Sequence, residues 1–86
     1  MKKSDVLTKL LEIANQFPLR RRIDDRDILA PLTSNKIGLD YLQLYEYMTC
    51  VEEAFSVCFT IHEIRAGAFL SISSLSDTLC HKMFGN

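Results

Sequence analysis

Apolar residues near the start of the chain recur at helical spacing. At 100° per residue, Val6, Leu7, Leu10, Leu11, Ile13, Ala14 and Phe17 fall on one side and Thr8, Lys9, Glu12, Asn15 and Gln16 on the other, as in a surface helix with a core-facing stripe. The pattern predicts a helix from Asp5 to about Gln16 with Ser4 as its N-cap. It ends at Phe17-Pro18, because a residue before proline is pushed out of the α region. A second stripe of Leu44, Tyr47, Met48, Val51 and Phe55 predicts a helix over Tyr41–Phe55, capped by Asp40 after a turn at Gly38. A third, of Leu75, Leu79 and Met83, predicts a last helix that begins with a capping-box-like Ser74-Leu75-Ser76-Asp77 and stops at Gly85.

The segments between these helices are less regular. Pro18 to Leu39 is a long connection holding Arg20-Arg21-Arg22, then Asp24-Asp25-Arg26-Asp27, with apolar Ile28, Leu29, Leu32 and Ile37. A connection this long is usually functional or carries a helical turn of its own, and Asp27-Ile28-Leu29-Ala30 before Pro31 suits such a turn. Ser56-Val57-Cys58-Phe59-Thr60-Ile61 alternates like a strand. No partner strand exists for it, so it reads as an extended loop. His62 to Ala66 is expected to form a short third helix before Gly67. The fold class is therefore all-α: a small three-to-four-helix bundle with a long loop between the first two main helices, in one domain spanning 1–86.

Composition narrows the function classes. The chain is 48% hydrophobic and 24% charged, as in a soluble globular domain and unlike a disordered one. No apolar run nears the ~20 residues of a membrane span, and Met1-Lys2-Lys3-Ser4-Asp5 carries no cleavage site, so the expected setting is cytoplasmic. Cys50, Cys58 and Cys80 cannot all pair and form no C-x-x-C, which favours reduced thiols. Cys58 with His62 and Cys80 with His81 would permit a zinc site on paper, but tetrahedral zinc needs a tighter pattern, so no metal is expected. Residues 1–39 hold eight Lys or Arg against five acids, and residues 40–86 hold two against six. The arginine triplet resembles a phosphate patch, yet the acids after it make a self-neutralising loop the better reading, and no nucleic-acid partner is expected. The acidic second half is suited to basic partner proteins.

The most informative stretch is the second helix. Opposite its core stripe lie Leu42, Tyr45, Glu46, Thr49 and Glu53, with Tyr41 and Glu52 at the margin. Exposed apolar residues ringed by acids mark a docking surface; the competing reading has the tyrosines lying over neighbouring loops.

Gly38-Leu39-Asp40-Tyr41-Leu42, then Glu46 and Val51-Glu52-Glu53-Ala54-Phe55, resembles the acyl carrier protein family. There the pattern is Gly-x-Asp-Ser-Leu followed by a helix ending Leu-Glu-Glu-x-Phe, and the spacing from Asp40 to Phe55 matches without a gap. Phe59 stands where the family has the Ile of its x-Ile-Pro segment. Ile72-Ser73-Ser74-Leu75-Ser76-Asp77-Thr78-Leu79 is similar to the family's start of the last helix. The resemblance covers nearly the whole chain, with a few extra residues around Gly67-Ala68-Phe69-Leu70. It implies a bundle of that type whose partner enzymes grip the second helix at Leu42, Tyr45, Glu46, Thr49, Glu52 and Glu53.

In the family, the serine after Asp carries 4'-phosphopantetheine, which is added from coenzyme A. Here Tyr41 occupies that position, and Gln43 stands where the family often has an acid. The phenol oxygen lies several bonds further from the backbone, and in such transfers a misplacement of about 1 Å can cost on the order of a hundredfold. Tyr41 is thus expected to stay unmodified and the protein to carry no cofactor. Ser34, Ser71, Ser73, Ser74 and Ser76 lack the family's context, and capping or turn roles suffice for them.

Taken together, these features lead to a monomeric, non-catalytic docking or scaffold module for an acyl- or peptide-modifying enzyme system. The alternative is a working carrier charged at Tyr41 or another hydroxyl. An enzyme in its own right has little support: there is no nucleophile–base spacing and no glycine-rich phosphate loop.

Overall fold

The computed structural model describes residues 2–19 and 22–84. Among these residues the chain forms four α-helices, α1 (Lys3–Ala14), α2 (Tyr41–Phe55), α3 (Ile61–Arg65) and α4 (Ile72–Phe84), and one 3₁₀ turn, Asp25–Asp27. The fold is a small all-α bundle. Among the described residues the only β-type pairing is one isolated antiparallel bridge between Pro31 and Ser71. Among the described residues no helix is long and apolar enough to cross a membrane.

α1 begins earlier than expected. Lys2, not Ser4, is its N-cap, because the Asp5 carboxylate accepts the Lys2 backbone N–H at 2.9 Å and closes the first turn from its third position. It also ends earlier than Gln16. The Asn15 side chain accepts the Ile23 N–H at 2.9 Å and donates to the Ile23 carbonyl at 3.0 Å. This two-sided clamp draws the long connection back across the helix end and buries Ile23. The inward stripe is as expected, with Val6, Leu10, Leu11, Ile13 and Ala14 buried.

The helical turn in the connection lies two residues before the expected Asp27–Ala30. Asp24 caps it and accepts the Arg26 N–H at 3.0 Å, while the Asp27 carboxylate accepts the Asp24 N–H at 3.0 Å. Arg26 pairs with Asp24 at 3.0 Å on the surface, in keeping with a self-neutralising loop. Arg20 and Arg21 of the triplet lie outside the described residues, as does Gly85. The rest of the connection is a working part of the core, since Leu32, Ile37 and Leu39 are all buried. Its backbone is tied to the α3–α4 linker by Leu32 N–H to Leu70 carbonyl at 2.9 Å and to α4 by Ser73 N–H to Ile28 carbonyl at 2.8 Å.

α4 starts at Ile72, ahead of the expected Ser74. Ser71 and Ser74 form a reciprocal cap: the Ser74 N–H donates to the Ser71 hydroxyl at 3.2 Å and the Ser71 N–H to the Ser74 hydroxyl at 3.1 Å. The capping box is thus three residues N-terminal of the Ser74–Asp77 pattern. α3 begins at Ile61, not His62, because Thr60 accepts the Glu63 N–H while Glu63 accepts the Thr60 N–H. It ends into Gly67, whose φ of +96° is open to glycine at little cost.

α1 packs extensively on α4 and less so on α2, and α2 and α4 make no comparable contact with each other. One apolar core joins the buried faces of α1, α2 and α4 to Ile23, Leu32, Ile37 and Leu39 of the connection and Ala68 and Phe69 before α4. Tyr47 is the link from α2 to α1. It is fully buried, its hydroxyl donates to the Leu10 carbonyl at 3.0 Å, and its ring meets Phe17 edge-on at 6.0 Å. Burial pushes its phenol pKa well above the ordinary value.

Candidate functional site

The site is built on the start of α2, and its geometry is local. Gly38, with φ +86°, closes the preceding turn by donating to the Ser34 carbonyl at 2.7 Å. Asp40 then leaves the turn extended, and its carboxylate accepts the Gln43 N–H at 2.7 Å. Gln43 returns the contact by accepting the Asp40 N–H at 3.1 Å. Gln43 is therefore the second half of the cap, a role that an amide fills without the charge of Glu.

Tyr41 is the first residue of the helix. Its side chain is 79% exposed, and Leu42 and Tyr45 follow at 69% each. Glu46, Thr49 and Glu53 are exposed along the same side, and the Thr49 hydroxyl turns back to donate to the Tyr45 carbonyl at 3.1 Å. The tyrosines do not lie over neighbouring loops; they stand in solvent. The inward set is Tyr47 and Val51, fully buried, with Leu44, Met48 and Phe55 packed against the core.

Glu52 is different from the other interface candidates. It is half-buried, and its carboxylate accepts the Phe59 backbone N–H at 2.8 Å. The structure therefore brings Leu42, Tyr45, Glu46, Thr49 and Glu53 together as one stripe, with Tyr41 at its head, and turns Glu52 to the linker after α2. The sequence carries no signal for that bond, which depends on where the chain runs after the helix. At that exit Ser56 adopts a left-handed conformation, φ +54°, and Val57 N–H bonds the Glu52 carbonyl at 3.1 Å.

The electrostatics of α2 work against the helix itself. It holds Glu46, Glu52 and Glu53 and no base, and no basic residue sits in its last turn. Carboxylates at a helix C-terminus oppose the macrodipole by roughly 0.3–1 kcal/mol each. Glu52 is offset by its bond to Phe59, whereas Glu53 is exposed at the unfavourable end.

The alternative hydroxyls are less available than Tyr41. Ser76 is fully buried, Ser71 and Ser74 are engaged in the α4 cap, and the Ser34 hydroxyl oxygen is buried. The thiols are free, with Cys58 exposed and Cys50 and Cys80 half-buried. Among the described residues, no three His, Cys, Asp or Glu side chains are grouped to hold a metal ion. Exposed apolar side chains also occur off α2, notably Leu29 and Leu70 on the two segments joined by the Pro31–Ser71 bridge. Irregular loops have no periodicity from which the sequence could have revealed them.

No protein-family model matches this chain, and no curated protein is detectably similar to it.

Proposed function

We propose that this protein is a carrier-protein-like docking module. Partner enzymes of an acyl- or peptide-modifying system grip the outward side of α2, and no phosphopantetheine is attached. The observation that carries the reading is the stripe itself: three large exposed side chains, Tyr41, Leu42 and Tyr45, lead into exposed Glu46 and Glu53, the second at the helix end where its charge opposes the macrodipole. Large apolar side chains in water with a charged margin are the chemistry of a recognition surface. The match of Gly38–Phe55 to the carrier motif supports the assignment of that surface, and Tyr41 in place of serine supports its being unarmed. The module acts as a monomer, in a cytoplasmic setting that suits three free thiols, and has no catalytic role of its own.

A second reading, the working carrier, draws on one fact: the Tyr41 hydroxyl is highly exposed at the head of the helix. One experiment separates the two. The protein and a Tyr41→Ser variant are incubated with coenzyme A, magnesium and a promiscuous phosphopantetheinyl transferase, and intact mass is read. The docking reading expects wild type unchanged, Tyr41→Ser modified, and the modification lost again when Glu46→Arg is added to Tyr41→Ser. Modification of wild type would return the protein to the working carriers. Failure of Tyr41→Ser to gain the arm would remove the carrier relationship.

A further inference from the structure

The segment between α2 and α4 is attached differently from the rest of the molecule. α3 is five residues long and buries none of them fully; Ile61 at its start is half in solvent. At either end of the segment stands a residue with left-handed backbone, Ser56 with φ +54° and Gly67 with φ +96°. It is held down by Val57, Phe59 and Ile64, which pack only partly buried against the core, and by a small set of polar latches. On one side the Glu52 carboxylate of α2 takes the Phe59 N–H at 2.8 Å. On the other, the Lys82 ammonium of α4 reaches the two Glu63 oxygens at 2.8 and 3.0 Å and lies 5.6 Å from the centre of the Phe59 ring. Phe59 rests edge-on against Phe69 at 4.7 Å. The Lys82 contact holds the Glu63 carboxyl below its ordinary range, with help from the Thr60 backbone N–H.

We infer that residues 57–66 form a strap that opens as a unit while the bundle of α1, α2 and α4 stays folded, and that Glu52 couples its opening to occupation of the α2 docking face. Both latches converge on Phe59, so loss of either loosens the same point. Glu52 is also the one member of the α2 interface set whose carboxylate is already in use. A partner's cation that reaches the margin of the docking face competes with the Phe59 N–H for that carboxylate, and a carboxylate prefers a charged donor to a neutral one. Segments with few buried apolar groups are the ones that open below the global free energy. The coupling half of this inference rests on the docking role of α2; the strap half does not.

Amide hydrogen exchange on the full chain tests it. In wild type, the hydrogen-bonded amides of Ile64 and Ala66 should exchange at least about tenfold faster than buried amides of α1 and α4. Lys82→Met, which keeps the aliphatic stem, and Glu52→Ala should each speed the strap further with α1 and α4 unchanged. Thr49→Arg places a guanidinium one turn from Glu52 on the same helix and stands in for a docked cation. It should speed the strap in wild type and have no added effect in Glu52→Ala. Strap amides as protected as those of α1, or Lys82→Met accelerating the whole chain equally, would overturn the strap. A Thr49→Arg effect that persists in Glu52→Ala would overturn the coupling. Glu46→Arg should leave strap exchange unchanged, so a Tyr41→Ser protein that the transferase still modifies after Glu46→Arg is added, with the strap response intact, fails the docking reading alone.

Discussion

Tyr45 and Tyr47 sit two residues apart on one helix and lead opposite lives. Tyr47 is fully enclosed, its ring set against Phe17 and its hydroxyl spent on the Leu10 carbonyl 37 residues away in sequence. Tyr45 is 69% exposed and uses the same chemistry for nothing inside the molecule. Two positions on a helix differ by about 200°, so the same residue type serves the core on one side and the surface on the other. Folding gains nothing from holding Tyr45 in water. The contrast separates the side of α2 that holds the fold from the side that faces water.

The largest expected effect tests the inner side. Tyr47→Ala should lose about 3–5 kcal/mol of stability, the usual cost of removing a fully buried aromatic ring. Tyr47→Phe should lose only about 1 kcal/mol, since the Leu10 carbonyl keeps its helical partner. Urea unfolding followed by circular dichroism reads both, and equal losses would mean that the hydroxyl, not the ring, is what matters. Next is the cap on which both sides depend. Asp40→Ala removes the acceptor for Gln43 N–H and should cost about 1 kcal/mol, with fraying seen first in the amides of the first turn.

Smaller still, and of opposite sign, is Ser56→Gly. A serine in the left-handed region is strained by its Cβ, and glycine's entropy cost offsets part of the relief, so glycine there should raise stability by about 0.5 kcal/mol. A loss would show that the serine side chain contributes something at the α2 exit that outweighs the strain. Smallest of all is the outer side. Tyr45→Ser should shift stability by less than about 0.5 kcal/mol yet weaken recognition of the Tyr41→Ser protein by the transferase. A large loss of stability would erase the distinction between the two tyrosines.

Much of this was legible in the sequence, and for identifiable reasons. α2 runs over Tyr41–Phe55 as expected because Gly38 and Asp40 act within a few residues of the helix they start, and local chemistry can be read locally. The same holds for the outward stripe, which follows from the helical repeat alone. The boundaries that moved did so where two caps competed. Ser4 was an attractive N-cap, but Asp5 closes on Lys2; the Ser74–Asp77 pattern was attractive, but Ser71 and Ser74 cap each other first. Three contacts were invisible because they join distant segments: Asn15 to Ile23, Tyr47 to Leu10 and Glu52 to Phe59. The last of these changed the site, taking Glu52 from the margin of the outward face to the linker. Gln43, which reads as a lost acid in the motif, is accounted for by the cap it completes.

The confinement of every tyrosine to one stretch of α2 has a practical consequence. The chain has no tryptophan and three tyrosines, at positions 41, 45 and 47, so its ultraviolet emission comes almost entirely from that helix. The enclosed ring reports the integrity of the bundle and the two open ones are reachable by a collisional quencher such as iodide. A bound partner would shield the open pair and leave the enclosed one as an internal standard, giving the unlabelled protein a two-channel optical readout of occupancy and of folding.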